Sequence, residues 1–139
     1  MLKVGKKIFN CQIEFAFTLV SGKWKTDLLW ELTKQPDLRF NELQRRINGI
    51  TAKVLAQQLD ELEDALLVSR SVFAEVPPRV EYRLTDAGNQ LWHLCEPLIP
   101  WADSHAELLN TNASQFVTLN PCWGRIDRLI ARHAELKRS

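Results

Sequence analysis

The residues best suited to chemistry in this 139-residue chain lie on one side of a helix predicted to begin after Thr51. That side carries a small residue, an amine and an amide at Ala52, Lys53 and Gln57. A small residue allows close approach, an amine binds phosphate, and a glutamine amide can pair with the adenine edge in the major groove. Such a pair would discriminate between bases by about 1–3 kcal/mol. The alternative interpretation is an ordinary solvated helix face.

Catalytic and metal chemistry receive little support from the sequence. No nucleophile–base pair and no pair of carboxylates stands out, so we expect no enzymatic activity and no cofactor. The candidate metal ligands lack the tight paired spacing of metal sites, and we predict none. These candidates are His93, Cys95, His105, Cys122 and His133.

The helix that carries the reactive face is predicted to be the second of a pair. Apolar residues recur at helical spacing before and after Asn48-Gly49, residues that tolerate the positive φ of a sharp turn. Thr51 is placed to cap the second helix through its hydroxyl. A helix-turn-helix with a free outer face is therefore predicted. Its apolar seam comprises Phe40, Leu43, Ile47, Ile50, Leu55, Leu59 and Leu62.

Two strands joined by a stiff loop are predicted to follow the helix pair. Val68 to Phe73 forms one strand, and Val80 to Leu84 alternates apolar and charged residues as a half-buried second strand. The loop between them contains two prolines, which fix φ and lack donors, and it ends at Arg79, which suits phosphate or minor-groove contact. The sequence thus predicts a mainly α fold with a small β-wing, a winged helix-turn-helix.

Charge is distributed unevenly over this region. Basic residues precede and follow the turn, whereas the acidic residues Asp60, Glu61, Glu63 and Asp64 lie near the far end of the second helix, where we expect them to face away from DNA. This polarity favours a nucleic-acid surface. The residues predicted to contact DNA are Arg39, Asn41, Thr51, Ala52, Lys53, Gln57, Pro78 and Arg79.

The N-terminal part is predicted to have a structural role, because none of its helix signals suggests chemistry. Residues 1–10 are expected to be loosely ordered, and helices are predicted over Gln12 to Val20 and Lys25 to Leu32. Asn41 is predicted to be the next N-cap, with Gln44 three residues on at capping-box spacing.

The C-terminal part is predicted to provide dimerisation helices. Thr85 caps a helix that runs to about Leu109 and is kinked or broken at Pro97 and Pro100. Its long apolar stripe suits a two-fold related copy of the chain. We place a winged helix-turn-helix domain with its dimerisation helices at residues 1–109, and an extension with an amphipathic helix at residues 110–139. That helix either extends the dimer interface or contacts flanking phosphate.

Composition sets the outer bounds. With 45% hydrophobic residues, one domain with a substantial core is expected, and a net charge of +1 neither requires nor excludes a nucleic-acid partner. No apolar run approaches the roughly 18 residues that cross a bilayer, so we expect no membrane partner. A cytoplasmic, nucleoid-associated protein with reduced cysteines is predicted.

Several motifs resemble the HxlR family of bacterial winged-helix transcription regulators, relatives of the MarR group. These motifs are GKWK from Gly22, RFNEL from Arg39, INGIT from Ile47, the leucine-rich run from Leu55 to Glu63, PPRVEYRLTDAG from Pro77, and Trp101. The resemblance covers about Cys11 to Trp101 and implies a homodimer that binds palindromic operator DNA, without enzymatic activity.

Two positions depart from the family pattern. Cys11 is followed by Gln12 where the family commonly has Cys-Pro. Leu66 stands where the family usually has the glycine that ends the second helix of the helix-turn-helix. A leucine forced into a left-handed cap costs about 1 kcal/mol relative to glycine.

The resemblance also implies a role for Cys11, because some family members use a cysteine at this position to sense oxidants or electrophiles. Nearby lysines or the start of the following helix would favour its thiolate, and the alternative is a small buried hydrophobe. An oxidant or small-molecule effector is thus conceivable. The sequence therefore predicts a dimeric, sequence-specific DNA-binding regulator, and the alternative is a winged-helix interaction module that does not bind specific DNA.

Overall fold

The computed structural model describes residues 1–112 and divides the chain into two compact units, Met1–Leu94 and a second unit that starts at Cys95. The architecture is mainly helical with a small antiparallel sheet, as predicted. In chain order the elements are β1 (Leu2–Val4), β2 (Lys7–Phe9), α1 (Gln12–Val20), α2 (Lys25–Lys34), β3 (Leu38–Arg39), α3 (Phe40–Arg46), α4 (Ala52–Asp64), β4 (Val68–Phe73), β5 (Arg79–Leu84), α5 (Asp86–Cys95) and α6 (Leu98–Asn112). The predicted extension helix from Trp123 to Leu136 lies outside the described residues.

The core of the first unit is built from the predicted apolar seam together with the leucines of α2. Six of the seven seam residues are buried, and Phe40 packs against them at the margin. Tyr82 and Leu84 of β5 complete the core, because alternate residues of a strand face the same side. The helical and strand periodicities of the sequence therefore located the core correctly.

The start of α3 differs from the prediction. Asn41 is not the N-cap: Arg39 occupies that position in an extended conformation, and Glu42 Oε2 accepts a hydrogen bond from the Arg39 backbone N–H at 2.8 Å. Arg39 also pairs with Glu81 as the last residue of β3, so the chain must turn into the helix directly after it. Long-range strand pairing thus fixes the cap two residues earlier than the local sequence suggested.

The wing is a three-stranded sheet in the order β3-β5-β4, and β3 was not predicted. Leu38 pairs with Tyr82 of β5, which pairs on its other side with Arg70 of β4. Before β3, Asp37 adopts a φ of 60°, and Arg83 Nε donates to its Oδ1 at 2.8 Å. The hydrogen bond from Arg83 holds the pKa of the Asp37 carboxyl below its usual value.

Helix α4 ends in a motif that normally uses glycine. The Leu67 N–H donates to Leu62 O at 3.0 Å and the Leu66 N–H donates to Glu63 O at 2.9 Å, the two bonds of a Schellman cap. Leu66, the residue directly after the C-cap Ala65, has a φ of 59°. The left-handed conformation, which costs about 1 kcal/mol for a residue with a Cβ, is therefore adopted by a largely exposed leucine.

The N-terminal residues are ordered into a hairpin, so the expectation of a loose segment was wrong. β1 and β2 pair antiparallel, with Leu2 opposite Phe9. The ring of Phe9 packs against that of Phe15 in α1 with centroids 5.2 Å apart. This aromatic contact attaches the hairpin to the first helix.

The predicted interruption of the C-terminal helix occurs at Pro97 and not at Pro100. Thr85 Oγ1 accepts from the Gly88 N–H at 3.0 Å and so caps α5, which ends at Cys95 before Pro97. Pro100 lies in the first turn of α6, where a missing N–H leaves no intrahelical bond unmade. Within residues 1–112 no helix combines the length and the apolar character needed to span a bilayer.

Candidate nucleic-acid interface

The second helix of the helix-turn-helix presents the predicted polar face. Leu55 and Leu59 lie on the buried side of α4, while Lys53 and Gln57 are exposed on the opposite side. A helix of 3.6 residues per turn separates these two sets because three- and four-residue spacings recur on one face. The face is therefore available to an outside partner.

The start of α4 is fixed by its cap and by the turn before it. Thr51 Oγ1 accepts from the Val54 N–H at 3.2 Å, as predicted. Gly49 adopts a φ of 85°, and a Cβ there would lie 3.9 Å from the Trp24 ring, so the conformation rather than space requires glycine. The exposed N-terminal N–H groups of α4 form a positive end that suits an anion.

Gln57 is held by neighbours that the sequence did not indicate. Gln57 Nε2 donates to Glu61 Oε1 at 3.1 Å, and Glu61 Oε2 accepts an ion-paired hydrogen bond from Lys25 of α2. Glu61 was expected to face away from DNA, and that expectation stays a prediction; its contact with Gln57 was not expected. The four-residue spacing of Gln57 and Glu61 was a usable signal for the first contact.

Arg79 is positioned by the wing itself. Its guanidinium lies 4.2 Å from the centroid of the Phe73 ring and 3.4 Å from a carboxylate oxygen of each of Glu75 and Glu81. Pro78 is exposed in the loop before it. Arg79 was predicted as a phosphate contact, and in this arrangement its charge is shared with two carboxylates.

Arg39 and Asn41 are both exposed at the beginning of α3. Asn41 borders a shallow surface groove. The Asn41 backbone carbonyl accepts from Arg45 Nε at 3.3 Å. The other residues that line the groove are Gln44, Arg45 and Ile50. Nearby Arg46 instead turns to Glu31, with 3.6 Å between Arg46 Nη1 and Glu31 Oε2.

The predicted contacts thus fall on three elements of the same unit. Ala52, Lys53 and Gln57 lie on α4 directly after Thr51, Arg39 and Asn41 lie at the start of α3, and Pro78 and Arg79 lie in the wing. Sequence reasoning missed Lys25 and Glu61, because their contact joins residues 36 positions apart.

Cys11 is exposed and is the N-cap of α1. Its sulfur accepts from the Glu14 N–H at 3.4 Å, and Glu14 Oε2 accepts from the Asn10 N–H at 2.6 Å. The thiol is therefore accessible at the positive end of a helix, and is not a buried hydrophobe. Cys95, by contrast, is partly covered, and burial raises the pKa of its thiol.

Comparison with known proteins identifies this arrangement. Residues 19–110 match the model of the HxlR-like helix-turn-helix family. The chain belongs to that family. It is a winged helix-turn-helix transcriptional regulator.

Individual relatives agree over most of their length. An uncharacterised HTH-type transcriptional regulator, YkvN of Bacillus subtilis, is 42% identical over 101 residues, which are 73% of this chain and 85% of YkvN. A candidate MarR-family regulator from Enterococcus faecalis is 35% identical with a TM-score of 0.67, covering 79% of this chain and 99% of that one. The redox regulator HypR in its reduced form is 36% identical with a TM-score of 0.67, covering 73% and 99%.

Proposed function

We propose that this regulator binds palindromic operator DNA as a homodimer and has no enzymatic activity. The observation that carries the proposal is the exposed face of α4, where Lys53 and Gln57 stand opposite a buried leucine seam. Helix-turn-helix dimers insert this helix into successive major grooves about one duplex turn apart. The outer face of α4 exposes no large apolar side chain, which disfavours the alternative of a protein-interaction module.

Exposed apolar side chains on both terminal segments support the homodimer. Helix α1 exposes Ile13 and Phe17, and α6 exposes Leu98 and Trp101, which is 62% exposed. Large apolar residues grouped on one element usually mark an interface. A second copy of the chain is the proposed partner, because a two-fold related copy supplies the same surface.

Each candidate residue has a proposed role on the duplex. Ala52 allows the helix to approach the groove closely, Lys53 and Arg39 bind phosphate, and Gln57 reads a base edge. The capped N-terminus at Thr51 supplies N–H groups to a phosphate. Asn41 and the wing residues Pro78 and Arg79 are proposed to contact the flanking backbone.

Gln57→Ala and Lys53→Ala are expected to separate base reading from phosphate binding. Gln57→Ala should reduce the preference for operator over a base-substituted operator by about tenfold, since one bidentate contact discriminates by about 1–3 kcal/mol. Lys53→Ala should weaken binding to both sequences equally. Affinities for the two duplexes, measured by fluorescence anisotropy at one salt concentration, test this. Equal losses on both duplexes for both variants would remove Gln57 from the reading role.

Cys11 is proposed as an oxidant- or electrophile-responsive residue of this regulator. The exposed thiol at a helix N-terminus supports the proposal, because such positions favour the thiolate. The similarity to HypR, a redox regulator, agrees with it.

Treatment with diamide or a quinone is expected to change the operator affinity of the unmodified protein by at least about tenfold, while Cys11→Ser should show no change, because the reactive thiolate is absent. Cys95→Ser is the matched control and should keep the response. Affinity before and after treatment, and again after reduction with dithiothreitol, measures the effect. An unchanged response in Cys11→Ser would eliminate this cysteine as the sensor.

A further inference from the structure

Glu61 connects two elements through one carboxylate. Its Oε2 accepts from Lys25 Nζ at the first residue of α2, and its Oε1 accepts from Gln57 Nε2 one helical turn earlier in α4. The Lys25 side chain is only 15% exposed, so the ammonium is held close to the body of the protein. Hydrogen bonds from Lys25 first, and then from Gln57, hold the pKa of Glu61 below its usual value.

The contact determines which end of the Gln57 amide faces inward. A carboxylate only accepts hydrogen bonds, so it binds the nitrogen end of an amide and not the oxygen end. The amide nitrogen has two hydrogens, and Glu61 engages one of them. One N–H and the carbonyl oxygen of Gln57 remain, and no other described residue in 1–112 bonds that oxygen.

The remaining donor and acceptor have the chemistry of one particular base. Adenine offers an N6 donor beside an N7 acceptor in the major groove, whereas guanine offers two acceptors there. An amide held by its nitrogen presents one acceptor and one donor side by side, which complements adenine. A freely rotating amide would have to be ordered at the moment of binding, and that ordering lowers its discrimination.

We infer that Glu61, anchored by Lys25, is a positioning residue that fixes the Gln57 amide so that it selects adenine. This inference rests on the proposed function, in which Gln57 reads a base. The lysine also offsets the negative charge of a carboxylate that stands near the duplex, so Glu61 orients the amide without repelling phosphate. The Glu61 side chain of this ion pair is 42% exposed, so the pair is partly solvated and adds little stability, which makes a role in specificity separable from a role in folding.

Glu61→Gln tests the inference, because an amide at position 61 can donate as well as accept and so leaves the orientation of Gln57 unfixed. Affinities are measured for four duplexes that differ only at the base pair whose preference is lost in Gln57→Ala. The ratio of affinities for adenine and guanine duplexes should fall about tenfold in Glu61→Gln. Loss of a negative charge strengthens binding to all four equally, so it leaves this ratio unchanged.

Two further variants complete the experiment. Glu61→Asp keeps the charge but is one methylene shorter, and we expect the same loss of preference together with wild-type thermal unfolding. Glu63→Gln makes the same chemical change two residues away and should keep the full adenine preference.

The outcomes distinguish this inference from the proposed function. If Gln57→Ala abolishes the preference while Glu61→Gln and Glu61→Asp keep it, the positioning role is overturned and the reading role of Gln57 stands. A preference that survives in Gln57→Ala overturns both. Loss of the preference in Glu63→Gln to the same degree as in Glu61→Gln would also overturn the positioning role, because the effect would then not depend on the contact with Gln57.

Discussion

Operator affinity is expected to fall about 10²-fold when monovalent salt is raised from about 50 to 200 mM. Arg39 and Lys53 are exposed cations, and the phosphate contacts proposed for them number four in the proposed dimer. Each neutralised phosphate contributes about −0.9 to the slope of log affinity against log salt, so Arg39 and Lys53 alone give a slope of about −3.6. Titrations at four salt concentrations measure it. A slope near zero would contradict the phosphate-contact account.

The same titration tests whether Arg79 breaks its ion pairs with Glu75 and Glu81 when the protein binds DNA. An Arg79 that stays paired with Glu75 and Glu81 releases few counterions, and Arg79→Ala should then leave the slope unchanged. An Arg79 that leaves both carboxylates for phosphate would add two contacts per dimer, and Arg79→Ala would lower the slope magnitude by about 1.8. Lys53→Ala is the control that should lower it by that amount in either case.

The sequence was sufficient to predict the helix-turn-helix because its determinants are local. Leu55, Leu59 and Leu62 recur at the spacing of one helix face, and this alone places Lys53 and Gln57 on the opposite face. Thr51 caps the helix through a bond to a residue three positions away. Both signals lie within one short segment, and the structure confirmed both.

The start of α3 could not be predicted in this way. Asn41 has the better capping side chain, yet Arg39 is the N-cap because its backbone is held extended by pairing with Glu81. That pairing joins residues far apart in sequence, and a two-residue strand has too little pattern to be recognised. Strand pairing of Arg39 therefore overrode the local preference for Asn41 as the N-cap.

Charge placement was the least predictable part of the site. Lys25 lies in a segment interpreted as scaffold, and its contact with Glu61 depends on how α2 packs beside α4. Arg79 was correctly placed in the wing, but its pairing with Glu75 and Glu81 depends on which way each side chain points. Ion pairs of this kind follow from tertiary packing, so residue type and spacing do not define them.

Gly88→Ala is expected to destabilise the protein by about 3 kcal/mol, although sequence reasoning alone gives the opposite sign. Alanine is favoured over glycine inside helices by about 1 kcal/mol, and Gly88 lies in the first turns of α5. A Cβ at this position would, however, lie 2.1 Å from Leu67 O and 3.1 Å from Leu67 C. Both are backbone atoms, so relief requires a shift of the chain, and such overpacking costs about 1–3 kcal/mol or more.

The clash also strains the connection between the wing and α5, since Leu67 O accepts from the Thr85 N–H at 3.0 Å and Thr85 Oγ1 caps the helix through the Gly88 N–H. Moving that carbonyl weakens the first bond, and moving Gly88 away from it weakens the second. Urea unfolding of Gly88→Ala measures the loss, with Asn89→Ala at the next, exposed position as a control expected within about 0.5 kcal/mol of the parent. Equal or greater stability in Gly88→Ala would show that the helix can move away from Leu67 at little cost, and the close approach would then not be the reason for glycine.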